Sequence, residues 1–179
     1  RGQVRKRIQA VVSYSRIHLH VFPPSIVLEN VRTVSQSPSF SAKSVSAVLP
    51  FRSLFKNEKP LTVFIDQPVI RISASPRGQA AKTKFPLALP FAIEKGVIRG
   101  GEFSYLGGKE SFEARNIMAS LRLKDQSFLV RVDAAESSLR LEPERKPLEG
   151  KMTLLLESRG DRWRINRFVL AGREVWGKV

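Results

Sequence analysis

His18 and His20 are the only histidines of the chain, and they stand two residues apart. On a β-strand that spacing puts both imidazoles on one face, where they could share a metal ion. No third ligand follows from spacing and the chain has no cysteine. Ordinary exposed histidines are the simpler reading, so no metal or cofactor is expected. Glu142 and Glu144 have the same separation, as a carboxylate pair for acid–base work would. Pro143, Arg145 and Lys146 around them describe a turn of solvated charges instead. The glycine pairs at 100–101 and 107–108 lack the helix and lysine pattern of a phosphate cradle. No serine occupies a nucleophile elbow, and neither histidine has a partner at triad spacing. Arg162, Trp163, Arg164, Ile165 and Arg167 interleave cations with an aromatic residue, a pattern able to stack on nucleic acid bases. As a strand, the same residues put Trp163 and Ile165 inward and the arginines outward. That reading is preferred, and no enzyme activity is expected.

What the chain offers in place of reactive groups is alternation. Ile17, Leu19 and Val21 alternate with Arg16, His18, His20 and Phe22, and period two places the three aliphatics on one face. Pro23-Pro24 lacks amide donors and breaks the segment. Ile26 and Leu28 resume the pattern, and Glu29-Asn30 leads toward a turn. Val45, Ala47 and Leu49 share a face, as do Leu61, Val63 and Ile65 before Pro68 and a strand over 69–73. Further on, Ile117, Ala119, Leu121 and Leu123 alternate, then Phe128, Val130, Val132 and Ala134, then Met152, Leu154 and Leu156. Trp163 and Ile165 are followed, after a shift in phase, by Phe168 and Leu170. A turn or bulge is expected at Gly100-Gly101 and a hairpin turn over 106–110. About ten strands at short spacing predict a mainly β protein, an antiparallel meander.

Helix is sparse. Residues 2–13 place Val4, Ile8, Val11 and Val12 at near-helical spacing with basic residues opposite. This segment is either membrane-proximal or a surface helix packed on the sheet, and the residues leave both open. One or two helical turns are expected over 52–59, with Leu54 and Phe55 tucked inward. Residues 73–92 are first small, polar and basic, then proline-rich, and are expected to be a linker or loop. The chain thus divides into 1–14, 15–72, 73–92 and 93–179.

The net charge is +15 over 179 residues. Residues 1–95 hold 15 Lys/Arg against 4 Asp/Glu, whereas residues 96–179 hold 16 against 12. Arg1, Arg5, Lys6, Arg7 and Arg16 come with no acid among them, which suits an anionic membrane surface or a nucleic acid. No window approaches the roughly 18 apolar residues of a membrane span. The chain begins at Arg1 and ends inside an alternating segment, so a piece of a longer protein is expected.

Phe22-Pro23-Pro24, then Leu28-Glu29-Asn30-Val31, then the run Leu61 to Ile72, in this order and spacing, resemble the N-terminal region of the AsmA-like family of bacterial envelope proteins. Residues 93–105, aliphatic, then glycine, then aromatic, resemble the same family more loosely. The family is similar to the chorein-type bridge-like lipid transfer proteins. The resemblance implies an extended, curved, taco-like sheet with an open apolar groove, phospholipid as partner, and movement of lipid between inner and outer membranes. It also implies a periplasmic body anchored to the inner membrane through a segment outside this chain, and contacts with other envelope proteins. The groove candidates are Ile17, Leu19, Val21, Ile26, Leu28, Val45, Ala47, Leu49, Leu61, Val63, Ile65, Leu121, Leu123, Val130, Val132, Leu154 and Leu156. The membrane-surface candidates are Arg1, Arg5, Lys6 and Arg7. An ordinary sheet core would use the same aliphatics, and the sequence does not separate the two. A β scaffold in outer-membrane protein assembly is the second reading and a basic nucleic-acid-binding domain the third, though no nucleic acid partner is expected.

Overall fold

Alternation of β-branched and aliphatic residues with polar ones carries strand after strand into one sheet. In the computed structural model, residues 12–33, 38–51, 55, 60–73, 93–124, 127–144, 146–159, 162–170 and 173–178 are described. They form twelve strands: β1 (Val12–Ser13), β2 (Arg16–His20), β3 (Ser25–Thr33), β4 (Ser39–Val48), β5 (Leu61–Asp66), β6 (Val69–Ser73), β7 (Ile93–Gly107), β8 (Glu110–Lys124), β9 (Ser127–Arg140), β10 (Leu148–Arg159), β11 (Arg162–Leu170) and β12 (Arg173–Lys178). All belong to a single sheet in the order β1-β3-β4-β5-β7-β8-β9-β10-β11-β12, with β2 beside β3, and β6 between β4 and β7. β1 and β2 are thus successive pieces along one side of β3, and β5 and β6 are two pieces of one interrupted strand. At about 4.8 Å between neighbours, these ten positions extend the sheet over roughly 43 Å.

Several expectations change. The sheet is mixed, because β5 and β6 both run parallel to β7. A tight hairpin cannot join parallel neighbours, which need a return of a dozen residues or more. Residues 74–92 supply that length, and they lie outside the described residues. Asn30 does not lead into a turn; β3 runs through it to Thr33. The helix over 2–13 falls outside the described residues except at Val12–Ser13, which are strand, paired with Arg32 and Thr33. The helical turns over 52–59 also lie outside them, except for Phe55, which is exposed rather than tucked inward. No helix is present among the described residues.

A line of irregular backbone crosses the strands. Asn30, Gln67, Gly100 and Asn116 have φ of 51°, 48°, 62° and 51°. They occupy neighbouring positions: Gln67 donates its amide to the carbonyl of Arg99 at 2.7 Å, and Gly101 pairs with Ile117. Pairing between β7 and β8 shifts on both sides of Gly101, and that between β9 and β10 shifts between Gly150 and Met152. Each left-handed residue is the third of a quartet whose first and fourth members are apolar or glycine: Leu28/Val31, Ile65/Pro68, Ile98/Gly101, Ala114/Ile117. Between β7 and β8 the register shifts on each side of Gly101, with an extra residue first in β7 and then in β8, whereas no shift accompanies Asn30 or Gln67. Asn and Gly are the residues that reach this region at least cost.

The core lies along this seam. Val31, Ala42, Ala114, Ala134, Met152 and Leu170 are the buried apolar side chains of the described residues, and all are on or beside it. Ala114, Ala134, Met152 and Leu170 form one cluster. Phe112, Leu139 and Leu148 pack on it from one side of the seam, and Val132 and Phe168 from the other. A Cβ on Gly101 would meet Ile98 Cγ2 and Pro68 Cγ at 3.2 Å, so a side chain here would press on both neighbours.

Asn116→Val places a β-branched residue at φ 51° and is expected to cost about 1–2 kcal/mol. Asn116→Gly is expected to leave stability nearly unchanged, and urea unfolding midpoints compare the two.

Candidate functional site

Register defines the two faces directly, because paired residues project to the same side of a sheet. One row reads Ile17–Leu28–Val45–Ile65–Ile98–Ala119–Val132–Leu154–Phe168. The next reads Leu19–Ile26–Ala47–Val63–Gly96–Leu121–Val130–Leu156–Ile165. A shorter third row holds Leu123, Phe128, Ser158 and Trp163, with Leu61 beside Ile93. Of the seventeen groove candidates, all in strands therefore fall on one face. Val21 is in the β2–β3 turn, and Leu49 follows the end of β4, donating its amide to the Pro24 carbonyl at 2.9 Å. Ile98, Ala119, Phe128, Ile165 and Phe168 join the face without having been among the candidates. Their alternation was visible in the sequence, but only long-range pairing aligns them with the rest.

Exposure on this face is uneven, and Ser158 in the third row is buried. Ile17, Leu19, Ile26, Leu123 and Trp163 are exposed, and the central members of the rows are half-buried. Every described strand belongs to the one sheet, so no separate second sheet is present among the described residues. The lower positions of the rows lie against the buried seam, so the apolar surface is continuous with the core.

The reverse face is mixed: Val27, Phe64, Val97, Met118 and Leu155 stand on it among charged and hydroxyl side chains, several of which pair with each other. Ser44 Oγ donates to Asp66 at 3.0 Å, His18 Nε2 lies 3.3 Å from Glu29, and Arg99 stands 5.1 Å above the Phe64 ring. Arg131 Nε donates to Asp133 at 2.7 Å and Thr153 Oγ1 donates to the same carboxylate at 2.9 Å. The hydrogen bond from Arg131 holds the Asp133 carboxyl below its ordinary pKa; partial burial opposes this, and Thr153 and the guanidinium charge add to it. Two shallow concavities both border Glu113 and Arg115, which pair at 3.7 Å. Neither lies over the apolar rows.

The other candidates stay apart. His20 is exposed on the reverse face, and no group of three His, Cys, Asp or Glu fit to hold a metal occurs among the described residues. Glu142 and Glu144 are exposed in the β9–β10 turn and not on a strand. Trp163 and Ile165 do project to the apolar face, and the shift in phase after them appears as a bulge at Asn166. Arg1, Arg5, Lys6 and Arg7 lie outside the described residues. No protein-family model matches the chain, and no curated protein is significantly similar to it.

Asp133→Asn is expected to lower stability by less than about 1 kcal/mol at pH 7, as for other exposed pairs. Because the folded pKa is depressed, the carboxylate's contribution is complete above the ordinary aspartate range and is lost as pH falls through the folded value. The gap between parent and variant urea midpoints should therefore close in acid.

Proposed function

We propose that this chain is the membrane-proximal part of an AsmA-like bridge protein, with phospholipid acyl chains lying along the apolar face of its sheet. The observation that supports the reading is the pair of apolar rows crossing the sheet, aliphatic except at Gly96 and Phe168, with no separate second sheet among the described residues. Acyl chains on such a face leave water at about 0.8 kcal/mol per buried CH₂. Bulges bend the strands that carry them, so the seam is the natural floor of a trough, with the half-exposed rows as its wall. No reactive side chain is needed; the protein supplies a path and the lipid moves between inner and outer membranes. The body of the protein belongs in the periplasm on this reading, with the anchor supplied by a segment outside this chain.

A scaffold that adds partner strands to its edge is the less favoured reading. The outer edge at β2 carries Arg16, and charge on an edge strand opposes pairing.

Detergent-free protein is expected to carry phospholipid in native mass spectrometry and to extract it from liposomes. Val63→Asp and Leu156→Asp each put a carboxylate in the middle of a row and are expected to reduce lipid loading at least about tenfold, since each charge must keep its water. Parent protein that carries no lipid and extracts none would end the groove reading.

A further inference from the structure

At one end of the sheet two loops meet in an aromatic tip. The β2–β3 turn presents Val21 and Phe22, which are 90% and 78% exposed. The segment after β4 presents Phe51 and Phe55, which are 56% and 79% exposed. The rings contact one another edge to face, Phe22 with Phe51 at 6.0 Å and Phe51 with Phe55 at 5.3 Å. The hydrogen bond from the Leu49 amide to the Pro24 carbonyl ties the two loops together. Leu19, 71% exposed, continues the patch onto the apolar face. Isolated exposed apolar residues are ordinary, but phenylalanines packed edge to face at projecting loop ends mark an interaction surface.

Charge identifies the occupant. β2 carries Arg16, and the sequence around Phe55 holds Arg52, Lys56 and Lys59 against the single acid Glu58. Projecting apolar side chains flanked by cations match the interfacial layer of an anionic bilayer, where rings reach the acyl boundary and cations meet headgroups. We infer that Val21, Phe22, Phe51 and Phe55 form a membrane-docking tip that inserts into the surface of an anionic phospholipid bilayer. The tip uses residues outside the aliphatic rows, and docking does not require that the rows themselves hold lipid.

The test is flotation with vesicles of phosphatidylcholine alone and of phosphatidylcholine with phosphatidylglycerol. The parent protein floats with the anionic vesicles. The triple variant Phe22→Ser, Phe51→Ser, Phe55→Ser keeps its far-ultraviolet β signal and binds them at least about tenfold more weakly. Val63→Asp floats as the parent does, which separates docking from groove occupancy. Because the chain has no cysteine, Phe55→Cys can be labelled at a single position with an environment-sensitive dye. The label is quenched by brominated acyl chains on anionic vesicles and is shielded there from aqueous iodide. Equal flotation of the triple variant and the parent would overturn the inference, as would a vesicle-bound label that iodide still quenches. So would a tip that joins two copies of the chain in solution and leaves vesicles unbound.

Discussion

The structure depends on its backbone ladder. In a layered domain, apolar faces close on each other and the hydrogen bonds of the sheet follow. Here all twelve strands share one sheet, and six apolar side chains are buried among the described residues. Cohesion therefore comes from the continuous exchange of amides and carbonyls between neighbours, supported by cross-strand contacts between directly paired side chains. Such a sheet does not consume its own apolar face. That is the physical reason most of the side chains of the apolar rows are not fully buried.

Local pattern was enough for much of the fold. The alternation around Leu121, Val130 and Leu154 specifies strands with one dry face, and Gly108 at φ 50° sits in the turn that joins β7 to β8. Pro68 separates β5 from β6 as its missing donor requires. The parallel pairing of β5 with β7 was not legible, because nothing within Leu61–Asp66 states which strand will lie beside it. The register depends on a return through residues distant in sequence. Asn30 misled for a related reason: Asn favours both turns and left-handed positions within strands, and only pairing on both sides of β3 decides between them.

The candidate site divides in the same way. Membership of one face follows from period two, so the strand-borne groove candidates come together as alternation requires. The seam left a trace that period two hides: apolar residues three apart, with Asn, Gln or Gly just before the second. The aromatic tip left almost none, since Phe22, Phe51 and Phe55 look like core residues until the two loops are seen to meet.

Rows of interchangeable aliphatics have a hidden weakness. A strand slid by two residues would still present valine or leucine to the same side, and its ladder would still close, so the dry face alone distinguishes poorly between alignments. The irregular backbone around Gly101 removes that degeneracy between β7 and β8. After such a slip between β7 and β8 the two compensating shifts around Gly101 would no longer face each other. The seam thus works as a detent between β7 and β8, fixing the longitudinal setting of one against the other.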